Sequence, residues 1–222
     1  MVQTIVKIIS IEPVTHNVKR FRLEKPKDYS FNPGQATEVS INTPELKEER
    51  RPFTFTCLPE DDHLEFTIKI YTDHKGVTNA LGNLKPGDAL IVRDVWGAIE
   101  YKGEGIFIAG GAGVTPFIAI LRHLHKQGEV GSNKLIFSNK TSKDIILKDE
   151  FEKILGENFI NILTDEKSDK YEYGRINEDY LKKNISNVQQ HFYICGPDAF
   201  IKDISEALSK LGTDVDRMVF EK

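Results

Sequence analysis

The sequence predicts two domains in tandem: a six-stranded antiparallel β-barrel over residues 1–98, then an α/β domain with a five-stranded parallel sheet over residues 99–222. Two rhythms and one turn predict this. Up to about residue 98 the apolar residues come in short strand-like runs, "TIVKIISIE", "VKRFRLE", "ATEVSI", "RPFTFTC", "LEFTIKIY" and "DALIVRD", separated by "NPGQ", "PEDD" and "KPGD". Gly, Pro, Asn and Asp in those separators supply turn geometry. In "LEFTIKIY", Leu64, Phe66, Ile68 and Ile70 alternate with Glu65, Thr67 and Lys69, the mark of a sheet with one face buried. Six such strands with short connections suit a closed or nearly closed barrel, with "VTNALGNL" (77–84) as its one short helix.

After "EYKGEG" (100–105) the period changes. Short apolar strands "IFIAG", "KLIFSN", "FINILTD", "HFYICG" and "DRMVFE" alternate with the helical patterns "TPFIAILRHLHKQG", "DEFEKIL", "NEDYLKKNI" and "PDAFIKDISEALSKLG". In the last, Phe200, Ile201, Ile204, Ala207, Leu208 and Leu211 recur at helical spacing, and Gly212 supplies a stop. Alternating strands and helices imply a parallel sheet covered on both faces.

Composition narrows the function. The net charge is only -4 and lysine is spread along the chain, so a nucleic-acid partner is not expected. Cys57 and Cys195 are the only cysteines, too few for a disulfide framework or for an iron-sulfur or zinc site needing four cysteine ligands, and no metal site is expected. No apolar stretch approaches the length of a membrane span and the N-terminus lacks a leader pattern, so a cytoplasmic location and a monomer are the expectations.

The turn "IFIAGGAGVTPF" (106–117) carries the first chemical signal. Gly110, Gly111 and Gly113 permit unusual backbone angles and close approach of another molecule, and Thr115-Pro116 reads as a helix start in which threonine caps and proline needs no N–H. A glycine turn between a strand and a helix N-terminus is the layout of a phosphate or dinucleotide site, and is also met as a purely structural turn. Neither G-x-G-x-x-G nor a Walker A loop is complete, and Ser138, Asn139, Lys140 and Lys143 stand where an acidic residue would usually close the next strand. Lys140 and Lys143 could attract a 2'-phosphate.

"RPFTFT" (51–56) is the second signal. Arg51 and Phe53 share one strand face and Thr54 the other unless the strand twists or ends there. Together they could hold a phosphate, a flat ring and a ring nitrogen, although the same residues would also serve as plain strand residues. "HKGVTNAL" places Gly76 and Thr78 at the start of the barrel's helix, a second possible anion cradle.

Taken in order, "FNPGQ", "RPFTFT", "KIYTDHKGVTNAL", "DVWGAI", "GGAGVTPF", "SNKTSKDIIL", "YGRI" and "YICGPDAF" resemble the ferredoxin-NADP reductase family of flavin reductases over essentially the whole chain, in a single-chain form without an iron-sulfur domain. The resemblance implies that residues 1–98 bind FAD, in preference to FMN, and residues 99–222 bind NADPH or NADH. It implies flavin contacts from Arg51, Pro52, Phe53, Thr54, Lys69, Ile70, Tyr71, Gly76, Val77 and Thr78. For the pyridine nucleotide it implies Gly111, Gly113, Thr115, Pro116, Asn139, Lys140, Cys195, Gly196 and Pro197. Thr54 would reach flavin N5 and Cys195 would lie near the nicotinamide, the two residues expected to bear on hydride transfer. Phe53 replaces the more usual tyrosine, and Thr78 comes one position early for the family's Gly-x-x-Ser/Thr segment. Two of these residues keep a plainer alternative: Cys195 ends an apolar strand, where buried inert thiols are common, and Phe220 either covers the flavin's second face or is core. The implied activity is hydride transfer from NAD(P)H to flavin, followed by delivery of electrons to flavodoxin, ferredoxin or an oxygenase component. A non-catalytic flavin- or nucleotide-binding sensor is the alternative of a different class.

Overall fold

The computed structural model describes residues 3–220 except His74 and Ala98; the limits 1, 98 and 222 of the expected domains lie outside the described residues. The first half is an antiparallel sheet ordered β4-β3-β6-β1-β2-β5. Its strands are β1 (Thr4–Thr15), β2 (Val18–Glu24), β3 (Gln35–Ile41), β4 (Arg51–Thr54), β5 (His63–Lys69) and β6 (Ala89–Gly97). The first part of β1 pairs with β6 and the rest with β2, and register shifts between Ile8 and Ser10 and between Pro13 and Thr15 mark the bulges that let one strand turn this corner. Just past β4, the Thr56 N–H donates to the Glu65 carbonyl at 2.9 Å, which joins one edge of the sheet to the other and closes a barrel. Phe21, Leu23, Phe55, Leu64, Phe66, Leu90 and Val92 fill the interior, joined by Val77 and Leu81 from helix α1 (Val77–Leu81).

The second half is a parallel sheet ordered β10-β9-β8-β7-β11-β12. Its strands are β7 (Gly105–Gly110), β8 (Lys134–Asn139), β9 (Phe159–Leu163), β10 (Glu172–Tyr173), β11 (His191–Cys195) and β12 (Met218–Phe220). There are six strands where five are expected. The extra one, β10, is two exposed residues with no apolar run to announce it. Successive residues of β7 point to opposite faces, as a strand requires. Phe107 and Ala109 pack with α2 (Thr115–Gln127) and α3 (Lys148–Leu155), whereas Ile106 and Ile108 pack with α4 (Glu178–Asn184) and α5 (Asp198–Lys210).

The expectation of a strand with one buried face fails at β5. Leu64, Phe66 and Ile68 face the barrel interior as expected, but Glu65 is only 2% exposed and Thr67 5%. The reason is that α2 covers the outer face of this strand. The Arg122 guanidinium on α2 donates to the Glu65 carboxylate at 2.7 Å and to the Thr56 carbonyl at 2.6 Å, while its other edge grips the Glu150 carboxylate at 2.5 and 2.9 Å. The Thr56 hydroxyl also donates to Glu65, at 2.9 Å. Apolar packing crosses the junction too: Val18 of β2 belongs to the core of the second half. The "NPGQ" turn meets α2 directly. Gly34 sits at φ +91°, and a Cβ there would lie 2.0 Å from the Ile99 carbonyl oxygen and 3.1 Å from Ile120.

Burial alone would push the Glu65 carboxyl up, but the charge and hydrogen bonds of Arg122 override it and hold Glu65 below the ordinary value of 4.5. A depressed folded value means that this stabilisation is present above the unfolded pKa and is lost as pH falls through the folded one. Urea unfolding should therefore show wild-type stability dropping as pH is taken below 4.5. Glu65→Gln should be less stable at neutral pH and should lose less on acidification.

Candidate functional site

The residues singled out from the sequence gather in two regions, one of them a cavity. The first is a cavity of about 570 Å³ lined by Arg51, Glu49, Lys75, Gly76, Val77 and Asn79, among others. The end of the barrel formed by β4 and α1 positions them. Arg51 is half exposed; its guanidinium lies 3.7 Å from the Glu49 carboxylate and donates to the Arg50 carbonyl at 2.6 Å. Gly76, extended at φ -147°, leads into α1, whose first turn holds no side-chain cap and no acidic residue. Val77 is buried and serves the barrel core, and Thr78 is half-buried. Lys69 ends β5 with its ammonium 5.7 Å from the centre of the exposed Tyr71 ring, and Ile70 packs on the barrel core. Lys75 and Glu49 are lining residues that the strand pattern did not single out, although Lys75 directly precedes Gly76 in "HKG".

Around the end of β4 the side chains alternate as expected. Phe53 turns toward the core, its ring 6.3 Å from that of Phe66, and Thr54 turns the other way, 8% exposed at the last position of the strand. Thr54, Ala36 and Trp96 stand opposite one another across β4, β3 and β6, with Trp96 partly exposed and Pro52 exposed on the same sheet. Thr54 is therefore not among the residues lining the Arg51 cavity; it lies on the adjoining outer face.

The second region lies at the carboxyl ends of β7, β8 and β11. Residues 111–114 form a single 3-10 turn and α2 follows at once. The glycines divide the work. Gly111 takes a left-handed φ of +53° with open space around its missing side chain. Gly113 is required by packing, since a Cβ there would lie 2.4 Å from the Cys195 carbonyl oxygen and 2.5 Å from the Gly196 nitrogen. Gly196 in turn leaves no room for a Cβ, which would meet Phe200 at 2.8 Å and the Gly110 backbone at 3.3 Å. The glycine turn and the Cys195-Gly196-Pro197 segment thus interlock. The expected threonine cap is not formed: Val114 occupies the cap position, and the Thr115 hydroxyl donates back to the Ala112 carbonyl at 3.1 Å, beside the Thr115 N–H that closes the 3-10 turn on the same oxygen. Pro116 sits in the first turn, where no N–H is needed.

Cys195 is 5% exposed at the end of β11. At the end of β8, Asn139 is also 5% exposed, and neither its amide nitrogen nor its amide oxygen has a partner. A buried amide left unsatisfied costs about 1–3 kcal/mol, which a polar ligand at this edge would recover. Beyond it Lys140 is exposed, and two carboxylates organise the loop. Asp144 accepts from the Thr141 N–H and hydroxyl at 3.0 and 2.7 Å, and Glu166 accepts from the Ser142 N–H and hydroxyl at 2.9 and 3.1 Å. Phe220, opposite Ile194 across β11 and β12, packs half-buried against the core that faces α4 and α5. Cys57, the other cysteine, is buried with the Glu65 N–H donating to its sulfur at 3.1 Å; burial raises its pKa to about 12 and makes it a poor nucleophile.

Two family models match the chain in tandem. A family model described as an oxidoreductase FAD-binding domain matches residues 5–101, and one described as an oxidoreductase NAD-binding domain matches residues 107–206. The chain is 26% identical to the reductase component of propane 2-monooxygenase from Rhodococcus jostii, over 97% of this chain and 62% of that protein, so it spans less than two thirds of that relative. It is 28% identical to NADH-cytochrome b5 reductase 2-A of Vanderwaltozyma polyspora, over 89% of this chain and 72% of the relative. Its fold matches the crystal structure of a ferredoxin NADP+ reductase from Neisseria gonorrhoeae with bound FAD and NADP, with a TM-score of 0.87 at 19% identity over 99% of this chain and 98% of that one.

The two glycines of the turn should respond differently to substitution. Gly111→Ala should cost about 1 kcal/mol, the strain of a left-handed backbone. Gly113→Ala must push two main-chain segments apart and should cost more, on the order of 3 kcal/mol, both read from denaturant unfolding.

Proposed function

This chain belongs to the ferredoxin-NADP reductase-like family of flavin oxidoreductases, and on that premise we propose that it takes hydride from NAD(P)H onto a bound FAD and passes the electrons to a separate acceptor protein. What supports this most directly is that an FAD-binding and an NAD-binding family model match the two halves in tandem, and each half holds groups suited to such a ligand. Residues 5–101 offer the cavity with Arg51, Lys75 and the start of α1; residues 107–206 offer the ends of β7, β8 and β11 with the unsatisfied Asn139 amide. Ligands of open α/β sheets collect at such strand ends. In this reading residues 1–98 hold the flavin and 99–222 the nicotinamide nucleotide.

A bound flavin supplies hydride acceptance at N5 and release of electrons singly or in pairs. The protein's own residues bind and orient. Arg51 and Lys75 neutralise the flavin phosphates, with Gly76, Val77 and Thr78 beside them and Lys69, Ile70 and Tyr71 along the same edge. Pro52 would flank the ring on the face it shares with Thr54, Phe53 would back it from the core side of the strand, and the Thr54 hydroxyl would be the group offered to N5. Gly111, Gly113, Thr115 and Pro116 receive the nucleotide's phosphates, and Asn139 and Lys140 its far end. Cys195, Gly196 and Pro197 form the wall beside the nicotinamide. In this arrangement Cys195 acts as a small packing group, and Phe220 keeps the core role its position in β12 gives it. No acid-base residue is needed for the transfer itself, so alignment of the two sites is the protein's main contribution.

Donor choice follows from the loop after β8. The Thr141 and Ser142 donors are already taken by Asp144 and Glu166, and two carboxylates there oppose a phosphate dianion despite Lys140 and Lys143. We therefore read the donor as NADH. The propane 2-monooxygenase relative favours an oxygenase component as acceptor, and the cytochrome b5 reductase relative favours a small haem protein. Among the described residues no helix is long and apolar enough to cross a membrane.

Anaerobic stopped-flow mixing of FAD-loaded protein with NADH or NADPH tests the reading, with the flavin's visible band as signal. Rapid bleaching by NADH, with kcat/KM at least about tenfold above that for NADPH and a narrower ratio in Glu166→Gln, is expected. Protein that takes up no flavin, or flavin that neither nucleotide bleaches, would move the chain to a binding role. Arg51→Ala should weaken FAD binding by about 1.5–3 kcal/mol, roughly ten- to a hundredfold, in a fluorescence titration.

A further inference from the structure

We propose that Arg122 is a positioning residue for hydride transfer, holding the flavin-side strand and the nicotinamide-side helix in register from beneath both sites. The inference rests on the functional reading above, and its basis is a single guanidinium bonded to both halves. On the barrel side, Arg122 Nη1 donates to the Thr56 carbonyl at 2.6 Å and to Glu65 at 2.7 Å. Thr56 is two residues beyond Thr54, so about 7 Å of extended chain separates this anchor from the hydroxyl assigned to flavin N5. On the other side, Arg122 lies seven residues into α2 from Thr115, about 10 Å along the helix from the glycine turn. Its Nε and Nη2 are held by Glu150 on α3, which leaves the guanidinium one orientation.

The surroundings make this connection stiff. The Glu65 side chain is 3% exposed and that of Arg122 17%, so water screens the pair poorly. The second Glu65 oxygen lies 3.4 Å from Arg22 Nε and 4.0 Å from Arg20 Nε, and Arg20 is itself 2.7 Å from Glu12. Carboxylates from β5 and α3 thus flank Arg122, and two further arginines on β2 hold Glu65 in place. Only a planar guanidinium can present one edge to Glu150 and another to Thr56 and Glu65 at once; a lysine ammonium must give up one of them. A second ionic contact across the junction, Lys126 to Glu60 at 2.5 Å, is exposed on both sides and provides an internal comparison.

The test uses the FAD-loaded full chain carrying Arg122→Lys or Glu65→Gln, with Lys126→Met alongside. Flavin content is measured first, then the rate of flavin reduction at saturating NADH, the apparent NADH dissociation constant and the isotope effect with NADH deuterated at the transferred position. Arg122→Lys should retain flavin and leave the dissociation constant within about twofold, while slowing reduction roughly ten- to a hundredfold, as expected of a misalignment on the scale of 1 Å, and enlarging the isotope effect. Glu65→Gln should change the rate in the same direction, and Lys126→Met should leave it at the wild-type value. In flavin-free protein, hydrogen exchange of the peptides covering 53–58 and 115–122 should quicken at least about threefold in Arg122→Lys, with 134–139 unchanged. Wild-type reduction by NADH together with an Arg122→Lys rate equal to it would overturn the positioning role alone. An equal slowing in Lys126→Met, or unchanged exchange in both peptides, would also overturn it. Wild-type protein reduced by neither nucleotide would overturn the functional reading and the positioning role with it.

Discussion

Glu65 carries its charge almost out of reach of water, on a strand whose pattern marks it for solvent, because Arg122 arrives from the other half of the chain to join Arg20 and Arg22 around it. Burying a lone carboxylate is prohibitive, and removing one partner of a buried ion pair costs about 3–5 kcal/mol. Each half therefore completes the interior of the other. The barrel without α2 would leave Glu65 and Thr67 on a wet surface, and α2 without the barrel would leave Arg122 with Glu150 alone. Apolar contacts at Val18, Ile99 and Ile120 fill in around the ions, and the Gly34 turn lets the main chains approach closely enough for them to form. The ionic contact gives the junction direction and the apolar contacts give it area.

That dependence explains where the sites lie. With the junction locked along β5 and α2, the end of β4 and the glycine turn at the start of α2 are each set by backbone continuous with the lock. The close packing of Gly110, Gly113 and Gly196 around the Cys195 backbone ties the ends of β7 and β11 together in the same way. Near the expected site residues, the cavity beside Arg51 stays open and the Asn139 amide stays unsatisfied, so a ligand at either place displaces no packing.

Much of this was legible in the residues. Period-two runs located all six barrel strands, and the switch to helical spacing after residue 100 located the four helices of the second half, because in both cases a buried face imposes its period on the sequence. The glycine turn between β7 and α2 was legible from its composition, though not the reason for each glycine: that Gly113 answers to the Cys195 carbonyl is a tertiary fact. β10 was not legible, since two exposed residues have no period. Nor was the burial of Glu65, because alternation describes a strand and its own sheet and says nothing of a helix sixty residues downstream. Thr115 gave the right helix start for a reason the structure replaces, as its hydroxyl turns back to the Ala112 carbonyl of the preceding turn and caps no helix N–H. Lys75 and Glu49 escaped because a cavity lining brings together residues from separate loops.

Two nucleotide cofactors should meet across the junction with the flavin ring beside Thr54, and a crystal structure of the chain grown with FAD and NAD+ would show whether they do. The flavin phosphates should lie against Arg51 and the start of α1, the flavin ring at Thr54, and the nicotinamide should reach it from the side of Gly111 and Cys195. A flavin lodged elsewhere, or a dinucleotide bound away from the ends of β7, β8 and β11, would contradict this arrangement.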